Sequence, residues 1–164
     1  MRQIMLSVDI TAPLYWWKEF DTYKIGTTAN STSTMHKLST TPITLECFEI
    51  DDYDENLGNY FDCADNVEGM DGGYLAEDVG FIIDLLENLR QTYLKTKDVR
   101  YWKELIRWLP ESWLQTRTIT MNYENVRNMY RHRKKHKLNE WSKSFIKWVE
   151  SLPYAKELIM LDAN

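Results

Sequence analysis

Seven consecutive side chains at 131–137, Arg-His-Arg-Lys-Lys-His-Lys, form the densest run of chemistry-bearing groups in this chain of 164 residues. Guanidinium forks grip phosphates and carboxylates through paired, charge-assisted hydrogen bonds, and ammonium groups add point charge. The run therefore suits a nucleic-acid patch, a solvated helix end, or a phosphate site inside an enzyme. A formal net charge of −5 and a pI of about 5.3 argue against duplex nucleic acid as the partner, because phosphate neutralisation needs a broad basic face. One phosphate-bearing small molecule needs only one or two Arg. Arg133 lies three and four positions after Tyr130 and Met129, which turns it partly inward, and an inward Arg demands an anionic partner. Lys134, Lys135 and Lys137 read as solvated.

The opposite charge is concentrated elsewhere. Residues 46–71 hold ten Asp/Glu and no Lys/Arg, the composition of a solvated loop. A metal site from Asp51, Asp52, Asp54 and Glu55 is the sharper alternative, although the glycine-centred spacing of a calcium loop is missing. Cys47 and Cys63 stand in no CxxC pattern and have no neighbouring His or Arg to activate them, so they read as buried thiols rather than nucleophiles. No run of apolar residues is long enough to span a bilayer and no signal-peptide pattern opens the chain, so a cytoplasmic protein is expected.

Positioning these groups falls to a mixture of strands and helices in one expected domain, 1–164. Residues 3–8 alternate like a strand. Pro13 opens a helix over about 12–24, with Thr11 as its candidate cap and Leu14, Trp17 and Phe20 on one face. The small polar run 27–34, TTANSTST, is a linker or a backbone-rich ligand loop. Residues 43–50 alternate moderately and predict a strand. Helical spacing is clear over 75–95 and 99–108, the latter stopped by Pro110. TRTITM, 116–121, has the β-branched alternation of a strand. A helix follows from about 123, and Leu138, Trp141, Phe145, Trp148, Val149 and Leu152 predict another, ended by Pro153.

The string RHRKKHKLNEWS resembles the signature of flavin-dependent thymidylate synthases, but in that register His136 stands where the family has Ser and Asn139–Glu140 arrive one residue late. A second register is more extensive. The segment LPESWLQTRTITMNYENVRNMYRHRKKHKLNEW is similar to the C-terminal part of the family. Leu109–Pro110, Asn122, Asn128, Arg133, His136 and Trp141 fall at or near its Leu-Pro, Asn, Arg, His and Trp. In the N-terminal half, Pro13 matches, Glu19 takes a Gln position, and Asn30 and Ser33 match the Asn and Ser of a loop. Departures are equally plain. Thr22, Tyr23 and Lys24 replace an Arg-His-Arg triplet, Ser31 replaces Glu, Met35 replaces Arg, Ile106 replaces an Arg to which Arg107 is adjacent, and Glu124 replaces Arg.

The resemblance implies an α/β fold of the α+β kind, a small central antiparallel or mixed sheet flanked by long helices. It implies nucleotide binding by Arg133, Glu19, Ser33, Lys24 and Arg107, and cofactor binding by Asn122, Asn128, His136, Thr27, Thr28 and Asn30. The implied cofactor is FAD, with NADPH and methylenetetrahydrofolate as co-substrates, and the implied reaction is reductive one-carbon transfer to a dUMP-like pyrimidine nucleotide within a homotetramer. Losing two bidentate Arg contacts of about 1.5–3 kcal/mol each would weaken nucleotide binding by roughly two to four decades. A catalytically degenerate nucleotide-binding or protein-interaction module is therefore the alternative expectation. An acidic interaction protein working through 46–71 is the third.

Overall fold

Alternation decides the first element. In β1, Met5–Pro13, the side chains of Met5, Ser7, Asp9 and Thr11 are exposed, while Leu6, Val8 and Ile10 are half-buried and Ala12 is buried. The structure, a computed structural model, describes residues 1–23, 25–31, 34–50, 54 and 75–161. The chain divides into two compact units, residues 1–32 with 114–164, and residues 33–113.

The first unit is built on a three-stranded antiparallel sheet. After β1 come the helix α1, Leu14–Phe20, and the strand β2, Thr28–Ser31; β3, Leu114–Asn122, returns to the centre of the order β1-β3-β2. β1 pairs with β3 from Met5↔Asn122 to Pro13↔Leu114, which places Leu6, Val8 and Ala12 on the same face as Met121 and Ile119. That face meets α1 (Trp16, Trp17, Phe20) and α5, Tyr123–Arg133 (Tyr123, Val126, Met129, Tyr130) in one core. The other face is polar: Ser7 bonds Thr120 at 3.3 Å, Thr11 bonds Thr116 at 2.8 Å, and Thr118 donates to Asp9 at 2.6 Å. Thr11 is thus a strand residue and caps nothing. β1 continues through it to Pro13, whose extended backbone sits just ahead of a helix shorter than the sequence predicts.

Aromatic packing locks the core. Trp16 stacks on Trp141 with ring centres 4.2 Å apart and meets Trp17 edge-on at 4.9 Å. Pairs of this kind contribute about 0.5–1.5 kcal/mol beyond their burial. Trp141 belongs to a π-helical turn, Glu140–Phe145, that leads into α6, Ile146–Glu150, and then α7, Ala155–Leu158. The stripe Leu138, Trp141, Phe145, Val149 does face inward, yet its first turn is wider than the regular helix its spacing predicts. Two hydroxyls tie this segment to α5: Tyr123 donates to the Pro153 carbonyl at 2.9 Å, and Tyr130 to Glu150 at 3.1 Å.

The second unit holds α2, Thr34–Thr40; α3, Leu75–Thr96; and α4, Val99–Arg107. Residues 43–50 form no strand. Leu45–Cys47 make a 3₁₀ turn, and Phe48 joins Trp113 in a single antiparallel bridge. The reason is local: the apolar members Ile43 and Phe48 are five residues apart and both buried, so the period-two pattern never closes. Cys47 is a half-buried free thiol rather than a fully buried one. Arg90 is buried and satisfied, donating to Glu87 at 2.7 and 2.6 Å and to the Ser39 carbonyl at 3.5 Å, while Glu87 also accepts the Ile43 amide at 2.8 Å. Among the described residues no helix is long and apolar enough to cross a membrane, and no group of His, Cys, Asp and Glu could hold a metal ion. Of the acidic run, only 46–50 and Asp54 lie within the described residues.

Candidate functional site

Helix α5 presents two faces. Asn122 caps it, accepting the Asn125 amide at 3.0 Å, and Tyr123, Val126, Met129 and Tyr130 bury one side. The spacing 124, 127, 128, 131 places Glu124, Arg127, Asn128 and Arg131 on another side, which walls a cleft of about 680 Å³. Met1, Arg2, Thr22, Tyr23, Ile25 and Gly26 complete its lining with Asn122 and Asn125. Three guanidinium groups and one carboxylate line this cleft.

Its polar groups are anchored. Arg2 grips Glu124 through Nε at 2.5 Å and Nη2 at 3.1 Å, and this hydrogen-bonded partner holds the Glu124 carboxyl below its usual range. The Asn125 amide nitrogen donates to the Ile25 carbonyl at 2.5 Å, and its Oδ1 is buried without a hydrogen-bond partner. Gly26 has a left-handed φ of 79°, and a Cβ there would stand 2.9 Å from that same Oδ1. Only glycine lets the 25–26 backbone approach α5 so closely.

Arg133 sits in a second arrangement. Its Nη1 donates to Glu19 at 2.7 Å and its Nε to the Tyr23 hydroxyl at 3.0 Å, with the guanidinium 4.8 Å from the Trp141 ring centre. His136 accepts the Leu138 amide on Nδ1 at 3.2 Å, so Nε2 carries the hydrogen that faces Glu19 at 3.3 Å. The anionic partner that an inward Arg133 demands is therefore supplied by the chain itself.

The sequence-predicted residues divide accordingly. Glu19, Arg133 and His136 meet in one network, and Asn122 and Asn128 line the cleft. Thr27 donates to the Tyr23 carbonyl at 3.2 Å, while Thr28 and Asn30 are exposed on the edge strand β2 rather than on a ligand loop. Arg107 lies in the second unit and pairs with Glu104 one helical turn earlier. Lys24 and Ser33 lie outside the described residues. Sequence reasoning missed Arg2, Asn125, Arg127 and Arg131. The last two were legible as the polar face of α5, one helical repeat of 124 and 128; Arg2 carried no signal, because it reaches the cleft only through strand pairing.

No protein-family model and no curated protein sequence matches the chain. Solved structures do. Thymidylate Synthase X from Helicobacter pylori, crystallised with FAD and dUMP, superposes with a TM-score of 0.59 over 97% of this chain and 72% of its own, at 16% identity. A second structure of that enzyme with FAD and dUMP gives 0.58, at 16% identity over 94% of this chain and 71% of its own. The UMP/dUMP methylase PolB from Streptomyces cacaoi, bound with 5-Br dUMP, gives 0.56 at 14% identity over 96% of this chain and 70% of its own. At such identities the likeness is one of backbone, and the small antiparallel sheet with its helices has the fold of the flavin-dependent thymidylate synthases.

Proposed function

We propose that the chain is a divergent flavin-dependent thymidylate synthase-like protein that binds FAD and a dUMP-like pyrimidine nucleotide. The observation that carries this reading is the arginine-lined cleft along α5, with Arg127 and Arg131 on one wall and Tyr23 in its lining. The residues fit a dinucleotide cofactor. Guanidinium groups suit a diphosphate, the orphaned Oδ1 of Asn125 suits a ligand N–H or O–H, and Tyr23 offers a ring to a base. Asn122 and Asn128 would hold the same ligand through their amides. Bound flavin would supply the redox chemistry of a reductive one-carbon transfer to the pyrimidine, with NADPH and methylenetetrahydrofolate as co-substrates. The chain's own contribution would be binding and orientation. The superposing enzymes, one crystallised with FAD and dUMP and the other bound with 5-Br dUMP, support the ligand classes.

A second reading is favoured by one specific observation. Glu19 and Tyr23 engage two of the five donors of Arg133, and Glu19 neutralises its charge, which suits a catalytically degenerate member that binds a nucleotide or protein. A homotetramer in the cytoplasm belongs to the first reading, and the exposed Phe81, Ile82 and Leu85 along α3 support a partner surface. The test is the visible absorbance of the purified protein, with and without added FAD and dUMP. A flavin band that stays with the protein through gel filtration supports the first reading. Its absence with excess FAD and dUMP present removes flavin chemistry and leaves the second.

A further inference from the structure

His136 makes two contacts that only its neutral form can make together. Its Nδ1 accepts the Leu138 amide at 3.2 Å, and its Nε2 faces Glu19 Oε2 at 3.3 Å. One tautomer serves both, with Nδ1 bare and Nε2 protonated. A second proton has one place to go, Nδ1, and there it meets the Leu138 N–H donor against donor. An imidazolium at 136 therefore keeps its contact with Glu19, now charge-assisted, and loses the one to Leu138. That loss falls where the π-helical turn begins. The Leu138 carbonyl accepts the Trp141 amide at 3.2 Å, the Ser142 amide at 3.0 Å and the Ser142 hydroxyl at 3.1 Å.

The groups around His136 come from three elements. Glu19 comes from α1. Arg133, at the end of α5, donates to the same Glu19 Oε2 at 2.7 Å, and Tyr23, in the turn after α1, accepts from Arg133 Nε at 3.0 Å. The Trp141 ring, edge-on with its centre 6.4 Å from that of the imidazole, carries no charge. On the turn itself Lys134, Lys135 and Lys137 are exposed. We infer that His136 is a pH-sensitive switch on the 136–138 turn. As pH falls through the imidazole range, from about 8 to about 5, it exchanges its bond to the Leu138 amide for an ion pair with Glu19 and loosens the start of the Trp141 turn. The side chain is 22% exposed, so a proton reaches it without unfolding. Two contacts couple the switch to the cleft: Arg133 shares Glu19 Oε2 with His136 and bonds Tyr23, and Tyr23 lines the cleft. No ligand is needed for this behaviour.

Hydrogen exchange of single amides, followed by NMR on the full chain across that pH range and expressed as protection relative to an unstructured peptide, tests the switch. Leu138 protection is expected to fall roughly tenfold in step with titration of the His136 ring, the loss of one hydrogen bond, while the Met129 amide inside α5 stays protected. His136→Asn offers the Leu138 amide an oxygen in place of Nδ1 and cannot be charged, so it should keep Leu138 protected at every pH. Glu19→Gln should move the transition to lower pH, because the imidazolium loses its anion. Leu138 protection that ignores the His136 titration overturns the inference. So does a His136 ring that takes up no proton before the chain unfolds, and so does a transition that Glu19→Gln leaves in place. A fall that His136→Asn still shows, or that Met129 shares, overturns it as well.

Discussion

Arg133 and Glu19 neutralise each other inside the first unit, 2.7 Å apart, with the Tyr23 hydroxyl accepting from Nε and Trp141 beneath the guanidinium. Both partners are largely withdrawn from solvent, at 16% and 34% side-chain exposure. Removing one partner of such a pair leaves the other charge desolvated. Arg133→Met is therefore expected to destabilise the protein by about 1–3 kcal/mol, read as a lower urea midpoint with an unchanged slope. Glu19→Gln should raise dUMP affinity about tenfold by releasing the guanidinium to a phosphate. A dUMP affinity indifferent to Glu19→Gln would count against Arg133 as a nucleotide ligand.

Gly26 is where the loop backbone passes closest to Asn125 of α5. Gly26→Ala imposes a left-handed φ on an L-residue and drives Cβ to 2.9 Å from Asn125 Oδ1. The two effects together should cost about 1–3 kcal/mol. Thermal melting checks this, and ligand affinity should fall with it, since Asn125 must shift.

In the second unit, the hydrogen bond from Arg90, aided by the Ile43 amide and Gln91 against the opposing effect of burial, holds the Glu87 carboxyl at about 2 rather than 4.5. A folded-state value below the unfolded one stabilises the protein above the unfolded value and loses that contribution as pH falls toward the folded one. Glu87→Gln should therefore cost about 2 kcal/mol at pH 7, and the gap to the parent chain should narrow steadily below about pH 4.5. Denaturant midpoints across that range measure it. A gap of constant size from neutral to acid pH would show that packing, not charge, is at stake.

Lys97 closes α3 with a φ of 57° and bonds the Tyr93 carbonyl at 2.8 Å, the place glycine usually takes. Lys97→Gly is expected to stabilise the unit by about 0.5–1 kcal/mol, despite losing the ammonium contact 5.9 Å over the Tyr93 ring. Calorimetric melting would expose an error in sign.

The long-period features were the legible ones. α3, α4 and β3 follow their apolar spacing to within a few residues, since Leu86, Leu105, Ile119 and Met121 anchor them in the interior. Trp17 and Trp141, on the apolar faces their spacing defined, lie in the core. β2 was not legible, because TANS has no apolar alternation and exists as a strand only through its pairing with 117–120. The network of Glu19, Arg133 and His136 came into view through the family pattern, although spacing alone had already demanded an anion beside Arg133. Which anion it would be depended on a contact across 114 positions of sequence, and no local pattern encodes such a contact.

The order in which the strands pair has a consequence for synthesis. Among the described residues β1 pairs only with β3, from which it is separated by the whole of residues 33–113, the second unit. A chain emerging from the ribosome must carry the unpaired edges of β1 until residue 122 is clear, while the intervening helices can already close on themselves. Non-local pairing of this kind is slow and leaves strand edges open to wrong partners. The polar alternation of Ser7, Asp9 and Thr11 then serves the nascent chain as well as the finished sheet, since it keeps one face of the waiting strand wettable.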